Sequence, residues 1–242
     1  MRKRLIAVCL LLMMPVFAGC GLIDYYFLPP SEDTAQELYE AGMDYMQEKR
    51  YSRAADDFLK LKDRFPFSPL TPKAGIALGD AYFLDARYTE AVDAYKEFES
   101  LHPSSPEMPY VLYQMGQANL KMFRTIDLRQ DNVREALELF YRLQETHPDT
   151  QYAKAAKKSI YECRKILAEH EIFVADFFWR TDKYGAAWHR YLYVLENYGD
   201  VVEFKEYVRK QAEYSYFEYQ KTLSEEERER VQWTWKRLFK WL

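Results

Sequence analysis

One sequence pattern occurs twice with a shift of 37 residues: GMDYMQEKRYSRAADDFLKLKDRFP at residues 42–66 and GDAYFLDARYTEAVDAYKEFESLHP at residues 79–103. Each copy has a small residue, an aromatic residue three later, an Ala, a second aromatic residue and a Pro. The first copy places these at Gly42, Tyr45, Ala54, Phe58 and Pro66. Small residues let two helices approach closely, and the Pro ends the second helix because it lacks an N–H. The pattern predicts tetratricopeptide-type helical hairpins.

The pattern continues in altered form toward the C-terminus. A third copy runs from Gly116 through Phe140 to Pro148, with about eight extra residues in its turn, near residues 124–131. A fourth copy fits Ala175 and Tyr191, but Gly199 replaces the turn Pro. The stretch 151–179 contains neither Gly nor Pro and predicts one helix of twice the usual length, capped by Asp149. A fifth, degenerate hairpin is predicted from residues 203–221 and a last helix that begins at Ser224, with Glu227 completing a capping box.

The predicted fold class is all-α: a right-handed superhelix, or solenoid, of about five tetratricopeptide-type hairpins. The predicted units span residues 35–68, 72–105, 109–150, 151–199 and 200–242, within a repeat domain of residues 34–242. Terminal repeats of such arrays are expected to be atypical because they lack one neighbour.

The N-terminus has the features of a bacterial lipoprotein signal. Residues 2–4 are basic and residues 5–14 are apolar, followed by Ala18-Gly19-Cys20, which resembles a lipobox. We expect cleavage after residue 19, lipidation of Cys20 and a tether over residues 20–33, which contains Pro29-Pro30. An ordinary secretory signal with a chance cysteine is the alternative. Gly21, in place of the Asp that retains lipoproteins in the inner membrane, favours the outer membrane.

The charge and the cysteines exclude several functions. Cleavage would remove three cations and no acid, which changes the net charge from −4 to −7. A chain of that charge has no electrostatic basis for binding nucleic acid. Cys163 would remain as the one free thiol, in a helical stretch, so we expect a small core residue and no intramolecular disulfide.

No pattern of a catalytic or metal site occurs in the sequence. His102 and His147 occupy the same repeat position and should lie a repeat apart, so they cannot share a metal ion. His170 and His189 have no carboxylate placed to assist them on the same helix face. The sequence lacks a phosphate-binding glycine loop, a nucleophile elbow and a spaced cysteine pair. We predict a protein that is not an enzyme and needs no cofactor.

The first helix of each hairpin is expected to line the concave side of the superhelix. Seven side chains, called here the groove residues, are predicted to face inward: Tyr39, Met43, Met46, Ile76, Phe83, Tyr110 and Tyr113. The ligand expected from them is an extended, apolar or aromatic-rich protein segment held by pockets. Alternatively, these side chains pack against neighbouring helices or against the N-terminal tether.

The last predicted helix presents two faces. Val231, Trp235 and Leu238 share an apolar face, whereas Trp233 lies almost opposite among cations. An exposed Trp on a charged face suggests a contact surface for a partner, although single exposed aromatic residues are also common.

The sequence resembles the BamD family, tetratricopeptide lipoproteins of the outer-membrane β-barrel assembly machinery. Three stretches carry the resemblance, together with the enlarged third turn: residues 64–69 (RFPFSP), 106–116 (PEMPYVLYQMG) and 167–178 (LAEHEIFVADFF). The resemblance covers essentially the whole mature chain. The lost turn Pro at Gly199 and the Trp-rich C-terminus depart from the family.

The resemblance implies a scaffold on the periplasmic face of the outer membrane, anchored by its lipid. Such a scaffold helps to recruit unfolded outer-membrane proteins and docks on the periplasmic domains of the central barrel subunit, with accessory lipoproteins as further partners. Arg190 matches a family arginine associated with pairing to an acidic residue of that subunit. A solvated surface position, or pairing within the chain with a nearby acid such as Glu196, is the alternative for Arg190. A different periplasmic repeat lipoprotein, such as a protease adaptor or a secretin pilotin, is the alternative. A cell-wall enzyme would need a catalytic module for which the chain has no room.

Overall fold

The computed structural model describes residues 33–223 and 227–228. All regular elements in these ranges are α-helices, and the predicted all-α tetratricopeptide fold is confirmed. In chain order they are α1 Ala35–Gln47, α2 Tyr51–Arg64, α3 Thr71–Leu84, α4 Tyr88–Leu101, α5 Met108–Lys121, α6 Asp131–Thr146, α7 Gln151–Arg180, α8 Tyr184–Asn197 and α9 Val202–Thr222. Each helix packs against the next one in sequence, which gives a stack of antiparallel hairpins.

The helix ends follow from local side-chain chemistry. Thr34 caps α1 in a capping box with Glu37, whose carboxylate accepts the Thr34 N–H at 2.8 Å. The helices α2, α4 and α6 each end two residues before the repeated turn Pro, as predicted. The long helix α7 is also confirmed, but its predicted cap is wrong. The hydroxyl of Thr150, not Asp149, accepts the N–H of Ala153 at 3.2 Å.

The tight turns within the hairpins share one backbone conformation. Lys49, Ala86 and Asp182 have positive φ angles of 60°, 59° and 57°, although none is Gly. Each follows the first helix of its hairpin, and the next amide reaches back five residues, as Arg50 N does to Tyr45 O at 2.8 Å. This is the Schellman arrangement, which caps a helix with a left-handed residue. The third hairpin replaces this turn with the enlarged one, residues 122–130.

The repeated small and aromatic residues form the contacts within each hairpin. A Cβ atom on Gly42 would lie 2.5 Å from Phe58, and one on Gly116 would lie 2.6 Å from Phe140, so these glycines are required for close helix approach. The equivalent Tyr95 and Tyr191 are also fully buried. The apolar core runs along the stack as three successive clusters of buried side chains.

Candidate partner-binding surfaces

The groove residues lie on the first helices of the first three hairpins, α1, α3 and α5. Met43 is exposed (37%), and the other six are half-buried. Tyr39 packs on Phe58 with ring centroids 5.9 Å apart, and Tyr113 packs on Tyr152 at the same distance. These side chains therefore contribute to helix packing and also present part of their surface to solvent.

The groove residues do not form one continuous cluster. Tyr39 and Met46 pack against the N-terminal part of the core, and Ile76, Phe83, Tyr110 and Tyr113 pack against its central part. The sequence placed all seven on one predicted face but did not reveal this division.

A half-buried carboxylate that was not predicted fixes one groove residue. The hydroxyls of Tyr95 and Tyr110 both donate to Oδ1 of Asp80 at 2.6 Å. Burial raises the pKa of Asp80, although the two donated hydrogen bonds act in the opposite direction. Burial and the neighbouring carboxylate also raise the pKa of both tyrosines. The Tyr110 hydroxyl is thus committed within the chain, and its ring remains the part that a ligand can contact.

The fourth hairpin repeats this arrangement. Tyr191 and Tyr207 donate to Oδ1 of Asp176 at 2.5 and 2.9 Å. Asp80 and Asp176 each follow the small motif residue, and each accepts from the Tyr that replaces Phe at the buried aromatic position. That paired substitution was a signal in the sequence. Its effect is to join each hairpin to the first helix of the next one.

Arg190 pairs within the chain. Its Nη1 donates to Oε2 of Glu171 at 2.5 Å, across the contact between α8 and α7. The Arg190 side chain is 45% exposed, whereas that of Glu171 is 9% exposed. Pairing with a nearby acid such as Glu196 was one sequence-based alternative to docking. An internal ion pair does exist, but its acid is Glu171. Glu171 was not predicted as the partner because it lies 19 residues away in the sequence, on another helix.

The enlarged third turn is held by side chains that the sequence did not single out for this purpose. Gln130 is buried, and its amide nitrogen donates to the carbonyl oxygens of Thr125 at 2.9 Å and Leu128 at 2.5 Å. His170, for which the sequence indicated no assisting carboxylate, has its Nδ1 2.6 Å from Ile126 O. Contacts from inside the turn and from α7 therefore define its shape.

Other expected site residues have different outcomes. Cys20 and Trp233 lie outside the described residues, as does the predicted last helix apart from residues 227–228, which are helical. Cys163 is a free, fully buried thiol, and burial raises its pKa to about 12, so it is inert as a nucleophile.

Within residues 33–223 and 227–228, no three His, Cys, Asp or Glu side chains are grouped to hold a metal ion. In the same ranges, no helix combines the length and apolarity needed to cross a membrane.

The hairpin stack, with its repeated small–aromatic contacts, defines an all-helical protein of the tetratricopeptide class. The sequence profile of the YfiO family, described as "Outer membrane lipoprotein", matches residues 31–232. The chain belongs to this family of outer membrane lipoproteins.

Several relatives carry the name "Outer membrane protein assembly factor BamD". The one from Vibrio cholerae is 25% identical over 183 residues, which cover 72% of this chain and 74% of that protein. The one from Pasteurella multocida is 27% identical over 175 residues, or 68% of this chain and 67% of that protein. Among solved structures, the first TPR domain of the human RPAP3 protein is 21% identical over 57% of this chain and 94% of that chain, with a TM-score of 0.44. The resemblance to BamD is confirmed.

Proposed function

We propose that this chain is a non-enzymatic scaffold, lipid-anchored through Cys20 at the periplasmic face of the outer membrane. It binds unfolded β-barrel precursors and docks on the central barrel subunit of the assembly machinery, and it thereby promotes their insertion. Its family membership and the assembly-factor relatives support this role. Accessory lipoproteins are further partners of the same scaffold.

The observation that carries the client-binding part is the character of the groove residues. All seven are apolar or aromatic, and all retain some solvent exposure on α1, α3 and α5. Aromatic and apolar anchors that enter pockets dominate peptide-binding energy. Extended segments rich in apolar and aromatic residues, such as the last strand of an outer-membrane barrel, match that surface.

Photocrosslinking tests the groove directly. A photoreactive residue replaces Met43 on α1 in the full chain, and the probe is a synthetic peptide with the sequence of an aromatic-ended last barrel strand. The matched control is Leu59 on α2, which is 40% exposed against 37% for Met43. We expect crosslinks at Met43 and not at Leu59. Crosslinks at Leu59 alone would place the client on the other surface and overturn the proposal.

Anchor substitution measures the contribution of one groove residue. Tyr113→Ala should weaken peptide binding by about 1–2 kcal/mol if the ring is an anchor, and by much less if it lies at the rim. Because Tyr113 also packs on Phe140 and Tyr152, the thermal unfolding of the variant is measured beside the binding. A loss of stability without a loss of affinity would assign Tyr113 to packing alone.

Docking on the barrel subunit is assigned to Arg190. Within the described structure, only its Nη1 has a hydrogen-bond partner, so the other guanidinium N–H groups can receive a second carboxylate. Glu171 also orients the guanidinium, which reduces the entropy lost on docking. Arg suits this role because it pairs with a carboxylate through two parallel hydrogen bonds, which Lys cannot reproduce.

Charge exchange tests this contact. Arg190→Glu should weaken binding to the purified periplasmic domains of the barrel subunit, and charge reversal at the partner carboxylate should restore it. The expected loss is about 2–5 kcal/mol if the partner carboxylate is left buried and about 1 kcal/mol at the rim. Wild-type affinity of Arg190→Glu, with an unchanged circular dichroism spectrum, would move the docking contact to Trp233.

A further inference from the structure

A cleft of about 770 Å³ lies at the turns of the second and third hairpins. We call it the turn cleft. One wall is the short turn between α3 and α4 with the start of α4, residues 86–90. The other wall is the end of α5, the enlarged third turn and the start of α6. Its volume falls within the range typical of ligand-binding pockets.

The turn cleft is cationic in a chain whose net charge is −4. Of the described side chains that line it, Arg87, Lys121, Arg124 and Arg129 are cations and Glu90 is the one carboxylate. Arg87 pairs with Glu90 at 3.0 Å, and Arg129 pairs with a carboxylate that does not line the cleft.

Two of the four cations are available to a ligand. Lys121 and Arg124 are exposed, and neither makes an ion pair with any residue in the described part of the chain. Apolar side chains lie between the cations: Tyr88 and Met122 are half-buried, and Leu128 is 49% exposed.

The wall that carries Arg124 is fixed before any ligand arrives. The buried Gln130 amide holds the carbonyls of residues 125 and 128, and His170 on α7 contacts the carbonyl of Ile126. A surface that is already ordered loses less entropy on binding. The turn therefore has the properties of a preformed binding surface.

We propose that the turn cleft binds an extended peptide segment of a partner protein that alternates acidic and aliphatic side chains. The carboxylates pair with Lys121 and Arg124, and the aliphatic side chains contact Met122 and Leu128. This ligand differs from the apolar or aromatic-rich segment assigned to the groove. A lipid would supply an anionic headgroup but needs a continuous apolar surface for its acyl chains, whereas the apolar side chains here alternate with cations.

Isothermal titration calorimetry tests the proposal with the full chain in a neutral detergent. The probe is an acetylated and amidated octapeptide of alternating Asp and Leu, and the same peptide with Asn in place of Asp is its uncharged control. The cleft variant is Lys121→Glu with Arg124→Glu. The matched control is Lys157→Glu with Lys158→Glu, which makes the same charge change at two exposed lysines of α7 outside the cleft lining.

We expect the Asp peptide to bind the wild type and the control variant equally, and the cleft variant at least about tenfold more weakly, because two attractive pairs become repulsive. Binding should also weaken with added salt, which screens exposed charges. The milder Lys121→Gln with Arg124→Gln should give an intermediate loss.

Three results would overturn the proposal. The first is that the Asn peptide binds the wild type as tightly as the Asp peptide does. The second is that the control variant and the cleft variant lose the same affinity for the Asp peptide. The third is that the Asp peptide does not bind the wild type. A separate experiment measures the binding of vesicles of phosphatidylglycerol with phosphatidylcholine to the wild type and to the variants. If they bind the wild type and lose binding to the cleft variant alone, while the Asp peptide does not bind, the site belongs to a lipid headgroup.

Discussion

Arg190→Leu should destabilise the fourth hairpin, because it leaves the carboxylate of Glu171 without its cation. Removing one partner of a fully buried ion pair costs about 3–5 kcal/mol. Here the Arg190 side chain is 45% exposed, so water can reach the vacated position, and the expected loss is about 1–3 kcal/mol. A loss of about 2 kcal/mol lowers Tm by roughly 4–8 °C in a chain of this size.

Thermal unfolding followed by circular dichroism measures this effect. The matched control is Arg209→Leu, because Arg209 pairs at 3.1 Å with Glu206, whose side chain is 64% exposed. That exposed pair should contribute less than about 0.5 kcal/mol. Replacing both Arg190 and Glu171 by Leu should recover most of the lost stability, because no unpaired buried charge remains. Equal and small shifts for Arg190→Leu and Arg209→Leu would show that the pair of Arg190 and Glu171 does not stabilise the hairpin.

The remaining predictions concern packing, pH and anchoring. Gly42→Ala should lower the free energy of unfolding by about 1–3 kcal/mol, because its Cβ atom would collide with Phe58. Gly75→Ala should raise it by up to about 1 kcal/mol through helix propensity, because the nearest atom to its Cβ would lie 3.7 Å away. Urea unfolding of the two variants measures both effects. Burial raises the pKa of the Asp80 carboxyl group in the folded protein above its ordinary value of 3.8. The carboxyl group therefore stabilises the fold most when it is protonated, and this contribution is lost as the pH rises through the folded-state pKa. Wild type should therefore lose stability relative to Asp80→Asn between pH 4 and pH 7, and a constant difference would contradict this. Cys20→Ser should leave the outer-membrane fraction, and unchanged fractionation would place the anchor elsewhere.

Local sequence patterns predicted the hairpins, because the structural role of each motif residue depends on one helix or on two adjacent helices. Gly42 and Phe58 lie in one hairpin, and Pro66 ends a helix by its own chemistry. The cap of α7 was missed by one residue because Asp149 and Thr150 are both suitable capping types, and only backbone geometry decides between them.

Contacts between helices and turns that are distant in the sequence could not be predicted from local patterns. Arg190 meets Glu171 only because α7 and α8 pack in one particular register. The contact of His170 with Ile126 spans 44 residues and joins a helix to an irregular turn, so no periodicity indicates it. The turn cleft likewise depends on how two hairpins stack, although three of its basic residues, Lys121, Arg124 and Arg129, lie close together in the sequence.

The proposed role of this chain is that of a partner-binding scaffold for outer-membrane protein assembly. Affinity purification of the native lipoprotein from membranes, in a mild detergent, tests that claim most directly, with the Arg190→Glu variant processed in parallel. We expect a large β-barrel protein with periplasmic domains to co-purify with the wild type and to be recovered in a smaller amount with the variant. Recovery of the wild-type chain without any β-barrel protein, or with a protease or a secretin in its place, would rule out this role.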